Sequence, residues 1–596
     1  MKDGVAQKKK LTVSTALMLT LAVFLIGTIL TIAVGSNFGK TDVRSVIIND
    51  GITGKEISAV LLIPENATAE SPAPVVITAH GGSKTLAHMS SFNIELSRRG
   101  YVVLAWDANG SGQSDVGVDG IIDSVYQYTQ NLSFVNPEQV VVIGQSAGGT
   151  SSYTMAQRYD DHIKLVVQLG MNIRSADDMP ETNFAYVIGK YDGSALARCP
   201  NNTVLDMVDN DAYRTLFGTN ETIEPGKLYG SWEDGTARIF LLSNTGHTWE
   251  AHDYLSVKHC LYVINCAVAN PTPIADTNQI WQWQSFGQSM VFLSILAFLF
   301  VAAAALLKLD FFSSLILPAR KPIGFKPKTK AWYMALVILI VTPPVFYIIC
   351  RSVGELWETN LFVMNTTVNG LVHWRWAVAA FYLVMFLAFH FAYGKRNGGN
   401  LITYGFATAA EEKKISAGYI LRAILLGVCV VGAAYGLYLV YYEFAKVSIC
   451  VVKWQLNKIP SENWRVFLLY FAVEIPYLVV ISLANRSVSM NNGARGAGKG
   501  MRNSMLMSVL ISTSGLVVAL IVFVACIFFR GELLFQANRG YIFFTGLGGT
   551  LPFIAICGLI NCYITNRTNS IYAGTTAAAL LSVWTMVGNF SLRMPL

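Results

Sequence analysis

Charged residues are scarce in this chain. Asp, Glu, Lys and Arg make up only 14% of its 596 residues, whereas soluble globular chains carry roughly 25%. So little charge cannot cover a water-facing surface of this size, which excludes a wholly soluble enzyme. The hydrophobic share of 53% equally excludes a disordered chain. The length exceeds the roughly 100–200 residues of one domain, so we expect at least two units.

Cysteine is sparse too, and no sign of charge dominates. Nine cysteines are too few for a disulfide scaffold, and spacing does not decide whether Cys199, Cys260 or Cys266 pair. The net charge is only +7, with basic residues scattered along the chain, so we expect no nucleic-acid partner. We find no cluster with metal-ligand spacing and expect no metal and no cofactor.

Long apolar runs are plentiful, but they are unevenly placed. A membrane span needs about 20 apolar residues. The first run is Leu11–Val34, and none follows for some 250 residues. Eight more runs then come in close succession, at 289–308, 331–350, 375–394, 417–442, 464–484, 504–529, 541–563 and 570–591. We therefore expect a transmembrane anchor at 1–36, a globular domain at 37–285, and an eight-helix transmembrane bundle at 286–596.

The loops between these runs predict an orientation. With a cytoplasmic N-terminus, the inner loops hold 18 Lys and Arg residues and the short outer segments hold 7. Cytoplasmic loops are enriched in these residues. This bias predicts nine spans in a cell membrane, a cytoplasmic N-terminus and an extracytoplasmic globular domain. The first run is longer than an ordinary signal-peptide core, which favours an uncleaved anchor.

The globular segment alternates short β-branched runs with helical stretches. Several runs are continuously apolar, including Val75–Ala79, Tyr101–Trp106 and Val140–Ile143, as expected of strands buried on both faces of a parallel sheet. The alternation predicts an α/β fold with helices on both faces of a mostly parallel sheet.

One motif in this segment carries chemistry. Gly144-Gln145-Ser146-Ala147-Gly148 lies between the expected strand Val140–Ile143 and a helical stretch. A Gly-x-Ser-x-Gly sequence in this strand–turn–helix context is typical of a nucleophile elbow, in which a tight turn exposes the serine hydroxyl. We predict that Ser146 is a nucleophile; the alternative is an ordinary turn serine.

Two upstream segments extend the pattern. Strand Val75–Ala79 ends at His80-Gly81-Gly82, and the strand ending at Trp106 continues into Asp107 and the turn 109–114, Asn-Gly-Ser-Gly-Gln-Ser. With the elbow, these segments resemble the α/β-hydrolase superfamily over about residues 55–268, in particular its serine esterases, dienelactone hydrolases and prolyl-oligopeptidase relatives. An oxyanion hole would use the backbone N–H groups of Gly82, or Gly81, and Ala147. His80 is expected to hold this loop rather than to act as a base.

The resemblance implies a Ser–Asp–His triad in that chain order. Asp192 follows the expected strand Phe184–Ile188, and His247 follows the strand Ala237–Leu242. The imidazole of His247 would accept the proton of Ser146, and the carboxylate of Asp192 would fix the tautomer of the imidazole. His252 remains an alternative base. The alternative acids are Asp206, Asp209 and Asp211.

These observations predict a membrane-bound serine hydrolase. We expect it to cleave an ester or thioester of a lipid or cell-envelope component through an acyl-enzyme, with the lipid bilayer as its surroundings. A serine peptidase of the same fold remains open, as does an acyltransferase. Eight helices exceed what anchoring requires, so a transporter or flippase with an outer processing domain is a further alternative. Glu474 lies near mid-span, where ionisable groups are often functional, whereas Arg375 lies nearer a helix end and is expected to reach the interface.

Overall fold

The computed structural model describes residues 12–171, 179–196, 203–319, 323–352, 366–409, 413–489, 498–530 and 537–589. Cys199 lies outside these ranges. Cys260 and Cys266 are both free thiols.

A nine-stranded sheet forms the centre of the globular domain. Its strands are β1 Thr41–Asn49, β2 Glu56–Pro64, β3 Ala73–Ala79, β4 Val102–Trp106, β5 Val135–Gln145, β6 Ile163–Leu169, β7 Asn183–Gly189, β8 Leu228–Tyr229 and β9 Arg238–Ser243. The spatial order is β1-β2-β4-β3-β5-β6-β7-β9-β8. Strands β4, β3, β5, β6, β7 and β9 pair in parallel, and antiparallel pairs close both edges. The expected mostly parallel sheet is confirmed.

The central strands are apolar because both of their faces are covered. Every residue of β3, β4 and β7 is buried, and β-branched side chains suit such pleated surfaces. The helices of this domain are α2 Ser90–Arg98, α3 Ile121–Gln130, α4 Ala147–Arg158, α5 Gly193–Leu196, α6 Asp211–Leu216 and α7 Tyr254–Ala267. Two separate apolar clusters flank the sheet, one on each face, as in a three-layer α/β fold.

Helix α1 Val13–Gly35 precedes the sheet, and a group of helices follows it. These are α8 Trp281–Leu306, α9 Asp310–Ser313, α10 Lys330–Ser352, α11 Thr366–Phe389, α12 Leu401–Tyr404, α13 Ala417–Ala445, α14 Trp464–Ser489, α15 Gly498–Arg530, α16 Ala537–Thr568 and α17 Tyr572–Asn589. A short hairpin, β10 Ile449–Val451 and β11 Trp454–Leu456, connects α13 to α14. Helices α1, α8, α10, α11 and α13–α17 are called the helical bundle below.

Eight helices in the described ranges are long and apolar enough to cross a membrane. These are α1, α8, α10, α11 and α13–α16, so they support a membrane protein. The ninth expected span, 570–591, corresponds to α17, which is a helix buried along nearly its whole length. It is not among the eight helices that are long and apolar enough, so the count of nine spans stays a prediction, as does the orientation.

Helix α1 packs along α8, so the two chain connections of the globular domain lie side by side. At the closest point, a Cβ atom on Gly27 would lie 2.8 Å from the backbone oxygen of Gly287. Only glycine lets two helices approach this closely. The helix before the domain and the helix after it therefore pack against each other.

Polar contacts fix the globular domain against the bundle. Glu95 of α2 is fully buried, and its Oε1 accepts the N–H groups of Ile280 and Trp281 at 2.6 and 3.0 Å, where α8 begins. On another side, Nε2 of Gln113 donates to the carbonyl oxygen of Lys458 at 2.9 Å. Glu95 thereby provides acceptors for N–H groups that no helical partner satisfies.

Candidate active site

Ser146 lies in the turn between β5 and α4. Its backbone has φ 53° and ψ −117°, a conformation that side chains disfavour and that is commonly found at functional sites. The turn is held by the Ser146 N–H, which donates to the carbonyl oxygen of Leu169 at 2.9 Å. This geometry has the strained strand-to-helix form of a nucleophile elbow.

The flanking glycines are required by space. A Cβ atom on Gly144 would lie under 3.0 Å from the backbone of Gly148, and one on Gly148 would lie equally close to the carbonyl oxygen of Ala79. Carbon atoms do not approach oxygen so closely without a shift of the backbone. The motif therefore has glycine at both positions because strand β3 and helix α4 pack directly against the turn.

Three predicted residues come together at the carboxyl ends of β5, β7 and β9. Nε2 of His247 lies 2.8 Å from Oγ of Ser146, and Nδ1 of His247 lies 2.8 Å from Oδ2 of Asp192. Each imidazole nitrogen thus has one partner, so Nδ1–H donates to the carboxylate and Nε2 is left to accept the serine proton. Asp192 is completely buried, and its Oδ1 accepts the N–H groups of Ser194 and Ala195.

The alternative residues lie elsewhere. Nε2 of His252 lies 3.2 Å from Nδ1 of His88, away from the serine. Asp206 caps a short helical turn. Asp209 and Asp211 both form exposed ion pairs with Arg214.

A second carboxyl group, Glu250, adjoins the His247–Asp192 pair. Its Oε1 accepts the N–H of Gly189 at 2.8 Å, and its Oε2 lies 3.6 Å from Nδ1 of His247. Burial and the negative charge of Asp192 hold the pKa of Glu250 well above its usual value. Burial acts in the same direction on Asp192, but the charge and hydrogen bond of His247 outweigh it and lower the pKa of Asp192. The pKa values of these two neighbouring carboxyls are thus shifted in opposite directions, that of Asp192 towards the ionised form and that of Glu250 towards the neutral form.

The predicted oxyanion donors lie on adjacent segments. A Cβ atom on Gly82 would lie 3.9 Å from Cβ of Ala147, and both residues line the same cavity as Ser146. His80 holds this loop: Nε2 accepts the N–H of Ala108 at 2.9 Å, and Nδ1 lies 2.8 Å from the carbonyl oxygen of Gly81. Burial lowers the pKa of His80 to about 4, so the ring is neutral at neutral pH.

Asp107 ties the same loop to the end of β4. Its Oδ1 accepts the N–H of Leu86 at 2.8 Å, and its Oδ2 accepts the N–H of Gln113 at 3.2 Å. The carboxyl is buried, which raises its pKa to about 7. Asp107 therefore joins the two turns that follow β3 and β4.

A cavity of about 440 Å³ extends from Ser146 into the helical bundle. The globular domain contributes nine lining residues, among them Ser146, His247, Gly82 and Ala147, and the rest of the lining comes from the bundle and the β10–β11 hairpin. On α16 the lining runs from Gly549 to Asn566, which at about 1.5 Å per residue corresponds to roughly 25 Å of helix. The space beside the serine is thus bounded by both parts of the chain.

Several residues at this site were not predicted from the sequence. Lys84 follows the oxyanion loop, and Lys453 lies in the turn of the β10–β11 hairpin; both line the cavity. Glu250 was missed as well, although its position three residues after His247 was available in the sequence. No local pattern points to Lys453, because the hairpin reaches the serine only through tertiary packing.

Two groups of side chains have ligand atoms close enough together for a metal ion. One is Asp192, His247 and Glu250, and the other is His88, His252 and Cys450; in each group the candidate atoms lie within 4.8 Å of one another. The first group is the triad and its neighbour. In the second group the positive charge of Lys84 lowers the pKa of both histidines, after burial, and the same charge opposes a bound cation.

Comparisons with known proteins found one matching family model and several similar solved structures. Residues 70–211 match the family model described as serine aminopeptidase, S33. An epoxide hydrolase mutant from Vigna radiata is 18% identical over 23% of this chain and 41% of its own, with a TM-score of 0.19. A Klebsiella pneumoniae protein assigned as a dienelactone hydrolase is 15% identical over 38% of this chain and 98% of its own, with a TM-score of 0.28. The match to the family model supports an α/β-hydrolase domain in this chain.

These similarities do not extend to the whole chain. Less than half of the epoxide hydrolase is covered. A Bacteroides ovatus protein assigned as a dipeptidyl aminopeptidase IV is 15% identical over 35% of this chain and 33% of its own, with a TM-score of 0.26. No curated protein matches the chain.

Proposed function

We propose that this chain, which carries an α/β-hydrolase domain, is a membrane-bound serine hydrolase that cleaves an ester or thioester through an acyl-enzyme. The observation that carries the proposal is the pair of 2.8 Å contacts linking Ser146 to His247 and His247 to Asp192. A serine hydroxyl is a weak nucleophile until a neighbouring base accepts its proton. Here the base is His247. Its hydrogen bond to Asp192 through Nδ1 leaves Nε2 able to accept the proton of Ser146.

Each residue of the site has its own role in the proposed reaction. His247 accepts the proton of Ser146 as Oγ attacks the carbonyl carbon, and the imidazolium is stabilised by Asp192. The developing oxyanion is bound by the N–H groups of Gly82 and Ala147, each donor being worth about 3–4 kcal/mol in comparable sites. His247 then protonates the leaving alcohol or thiol. In the second half of the reaction, water adds to the acyl-enzyme with His247 as base, which releases the acid and regenerates Ser146.

The membrane setting supports the choice of substrate. Eight helices have the length and apolarity to span a bilayer, and the cavity beside Ser146 continues between them. We propose a lipid or cell-envelope ester as substrate, bound between the two parts of the chain. The Lys and Arg bias of the loops supports an extracytoplasmic location for the hydrolase domain.

A serine peptidase is the second candidate, because the matching family model is described as a serine aminopeptidase. An aminopeptidase must hold a positively charged α-amino group. The described residues that line the cavity include Lys84 and Lys453, but no Asp or Glu. This charge favours an ester over a peptide with a free N-terminus. Comparing 4-nitrophenyl esters with aminoacyl 4-nitroanilides separates the two functions.

Labelling with a fluorophosphonate probe in intact cells tests the proposal. We expect the wild type to be labelled, and Ser146→Ala to lose all labelling because the probe reacts only with an activated serine. Ser45→Ala, which changes an exposed serine on β1, serves as a control and retains labelling. A folded wild type that stays unlabelled contradicts the proposal, and it favours the alternative of a transporter with a hydrolase-like binding domain.

A further inference from the structure

The cavity that contains Ser146 is long as well as large. Protein interiors are close-packed, with few voids larger than a water molecule, yet about 440 Å³ stays open here and continues between α14, α15, α16 and α17. The lining from Gly549 to Asn566 follows α16 over roughly 25 Å. One leaflet makes up half of the roughly 30 Å hydrocarbon core of a bilayer. The cavity is therefore longer than a leaflet is thick.

The Gly549 end of the cavity faces the hydrolase domain. A Cβ atom on Gly549 would lie 3.8 Å from the backbone oxygen of Lys453 in the β10–β11 hairpin. In the same hairpin, Sγ of Cys450 lies 3.9 Å from Nδ1 of His88, a residue of the globular domain that lines the cavity together with Ser146. The open space therefore runs from the serine past the hairpin and then along the bundle.

Apolar atoms make up most of the surface that faces the cavity. The larger apolar side chains in the bundle wall are Tyr477, Leu478 and Ile481 on α14, Phe553, Ile554 and Cys557 on α16, and Met586 on α17. Walls of this kind bind the apolar part of a ligand, because contact removes both surfaces from water.

The polar side chains in the bundle wall are mostly hydrogen-bonded within the protein. Oγ of Ser508 donates to the carbonyl oxygen of Gly558 at 3.1 Å, and Oγ of Ser512 donates to that of Ser508 at 2.8 Å. Nδ2 of Asn561 donates to Oγ of Ser482 at 2.8 Å. Ten of the twelve Ser, Thr and Asn side chains that the bundle contributes have such partners. Groups satisfied in this way need no hydrogen bond from a ligand.

We propose that this cavity binds a long alkyl chain of the substrate, so that Ser146 cleaves a lipid ester whose chain lies between α14, α15, α16 and α17 rather than in the bilayer. The inference rests on the proposed function, because it gives the substrate class and the binding mode of the same site. The bundle then has a role besides anchoring: it binds the chain while the ester bond lies at the serine.

A probe that is anchored at Ser146 tests where the chain lies. The probes are alkyl fluorophosphonates with a hexadecyl or a butyl chain and a diazirine at its end, applied to the full-length protein in detergent. Oγ of Ser146 bonds to phosphorus and fluoride leaves; light then links the chain end to its neighbours, which peptide mapping identifies. We expect the hexadecyl probe to mark α14–α17, and to do so further along α16 than the butyl probe. Hexadecyl links only to detergent or to the globular domain overturn the proposal.

Blocking the cavity part of the way along gives a second readout. Cys557 lies eight residues beyond Gly549 on α16, about 12 Å further from the hairpin, and it lines the cavity. We expect Cys557→Phe to lower the ratio of hexadecyl to butyl labelling rates at least about 10-fold. The matched control is Cys526→Phe, which changes a half-buried cysteine of α15 outside the lining and should keep the wild-type ratio.

An unchanged ratio in folded Cys557→Phe contradicts the proposal. If that variant does not fold, Gly549→Leu allows the same comparison, because a Cβ atom there meets only the backbone oxygen of Lys453. The ratio should again fall, and a wild-type ratio in Gly549→Leu counts equally against a chain in this space.

The chain site can be separated from the hydrolase activity. If neither probe labels the folded wild type, the proposed function fails. Hexadecanoate with a terminal diazirine, which needs no reactive serine, is then applied to Ser146→Ala. Links to the cavity-lining residues of α14–α17 that excess unlabelled hexadecanoate prevents, and that Cys557→Phe reduces, support the chain site. Links that neither the competitor nor Cys557→Phe changes overturn it.

An alkyl chain can belong to the acid or to the alcohol of an ester, and two isomers distinguish these sources. Ethyl hexadecanoate carries the long chain on its acyl side, and hexadecyl acetate carries it on its alcohol side. Hydrolysis of each is compared in the wild type and in Cys557→Phe. The isomer whose kcat/KM falls more in the variant identifies the side that enters the bundle, and an equal fall shows that both sides can enter. If kcat/KM falls for neither isomer, the chain does not lie in the cavity.

Discussion

Nη1 of Arg375 on α11 lies 2.7 Å from Oε2 of Glu474 on α14. Both side chains are buried, with relative exposures of 6% and 1%, and Oγ of Ser582 on α17 lies within hydrogen-bond distance of both. From the sequence we expected Arg375 to reach the membrane interface, and this expectation is wrong. Its guanidinium instead joins three helices at the wall of the cavity.

Glu474→Gln should destabilise the protein by about 3–5 kcal/mol, because a buried Arg375 charge would lose its partner. The double variant Arg375→Met, Glu474→Met removes both charges and should recover most of this loss. Thermal unfolding in detergent measures the difference. Equal losses in the single and double variants would show that the ion pair is not what stabilises this position. Serine labelling in folded Glu474→Gln should persist, whereas transport would be lost if the bundle were a transporter.

Glu250→Gln should make the stability less sensitive to a rise in pH above 4.5. The folded-state pKa of Glu250 is raised, so folding favours the protonated form. The resulting contribution is fully present below the unfolded value of 4.5 and declines as pH rises towards the folded pKa. Glutamine keeps an acceptor for the N–H of Gly189 and cannot ionise. The readout is Tm against pH; parallel curves for both proteins would contradict the prediction.

His80 should make the domain less stable in acid. Its pKa falls from 6.5 to about 4 on burial. Between these values the unfolded chain binds a proton that the folded chain does not, so stability decreases as pH falls from 6.5. One such histidine contributes up to about 1.4 kcal/mol per pH unit. His80→Gln should flatten the fall in the free energy of unfolding over this range, measured by urea titration at several pH values.

Gly148→Ala should prevent the elbow from forming. The added Cβ would lie under 3.0 Å from the carbonyl oxygen of Ala79, and either β3 or α4 would have to move. We expect fluorophosphonate labelling to fall at least about 100-fold. Gly51→Ala is the matched control, since a Cβ there meets no atom within 4 Å. Normal labelling of Gly148→Ala is the result that this geometry does not allow.

Gly549→Leu should reduce activity by filling the cavity rather than by disturbing the serine. Gly549 on α16 lines the cavity, and a Cβ there would meet only the backbone oxygen of Lys453, at 3.8 Å. We expect KM for a bulky ester to rise more than about 10-fold, with a smaller change for an acetate ester. Gly432→Leu, on an exposed face of α13 with nothing within 4 Å, is the control. Equal changes for both esters would mean that the substrate does not occupy this space.

The strand–turn–helix pattern around Ser146 made the hydrolase domain predictable. Residues that follow parallel strands meet at one edge of the sheet, so Asp192 and His247 could be chosen from their places after β7 and β9. The catalytic role of all three stays a prediction. Burial could also be predicted from local sequence. The continuously apolar strands β3, β4 and β7 are buried along their whole length.

The cavity could not be predicted in the same way. Most of its wall comes from α14–α17. The positions of these helices depend on helix packing rather than on any local pattern. Lys453 is one example: its neighbours in the sequence give no reason to place it near Ser146. Arg375 is another, because the distance of a residue from a helix end does not reveal which helices pack against it.

The close packing of α1 and α8 has a consequence for rotational freedom. A domain attached by one flexible connection samples many orientations, and each encounter with a second binding surface requires those orientations to be lost again. Here the chain leaves and re-enters the bundle through two helices in contact at Gly27 and Gly287. The entropy of orienting the serine over the cavity is therefore lost once, when the protein folds, and not in every turnover.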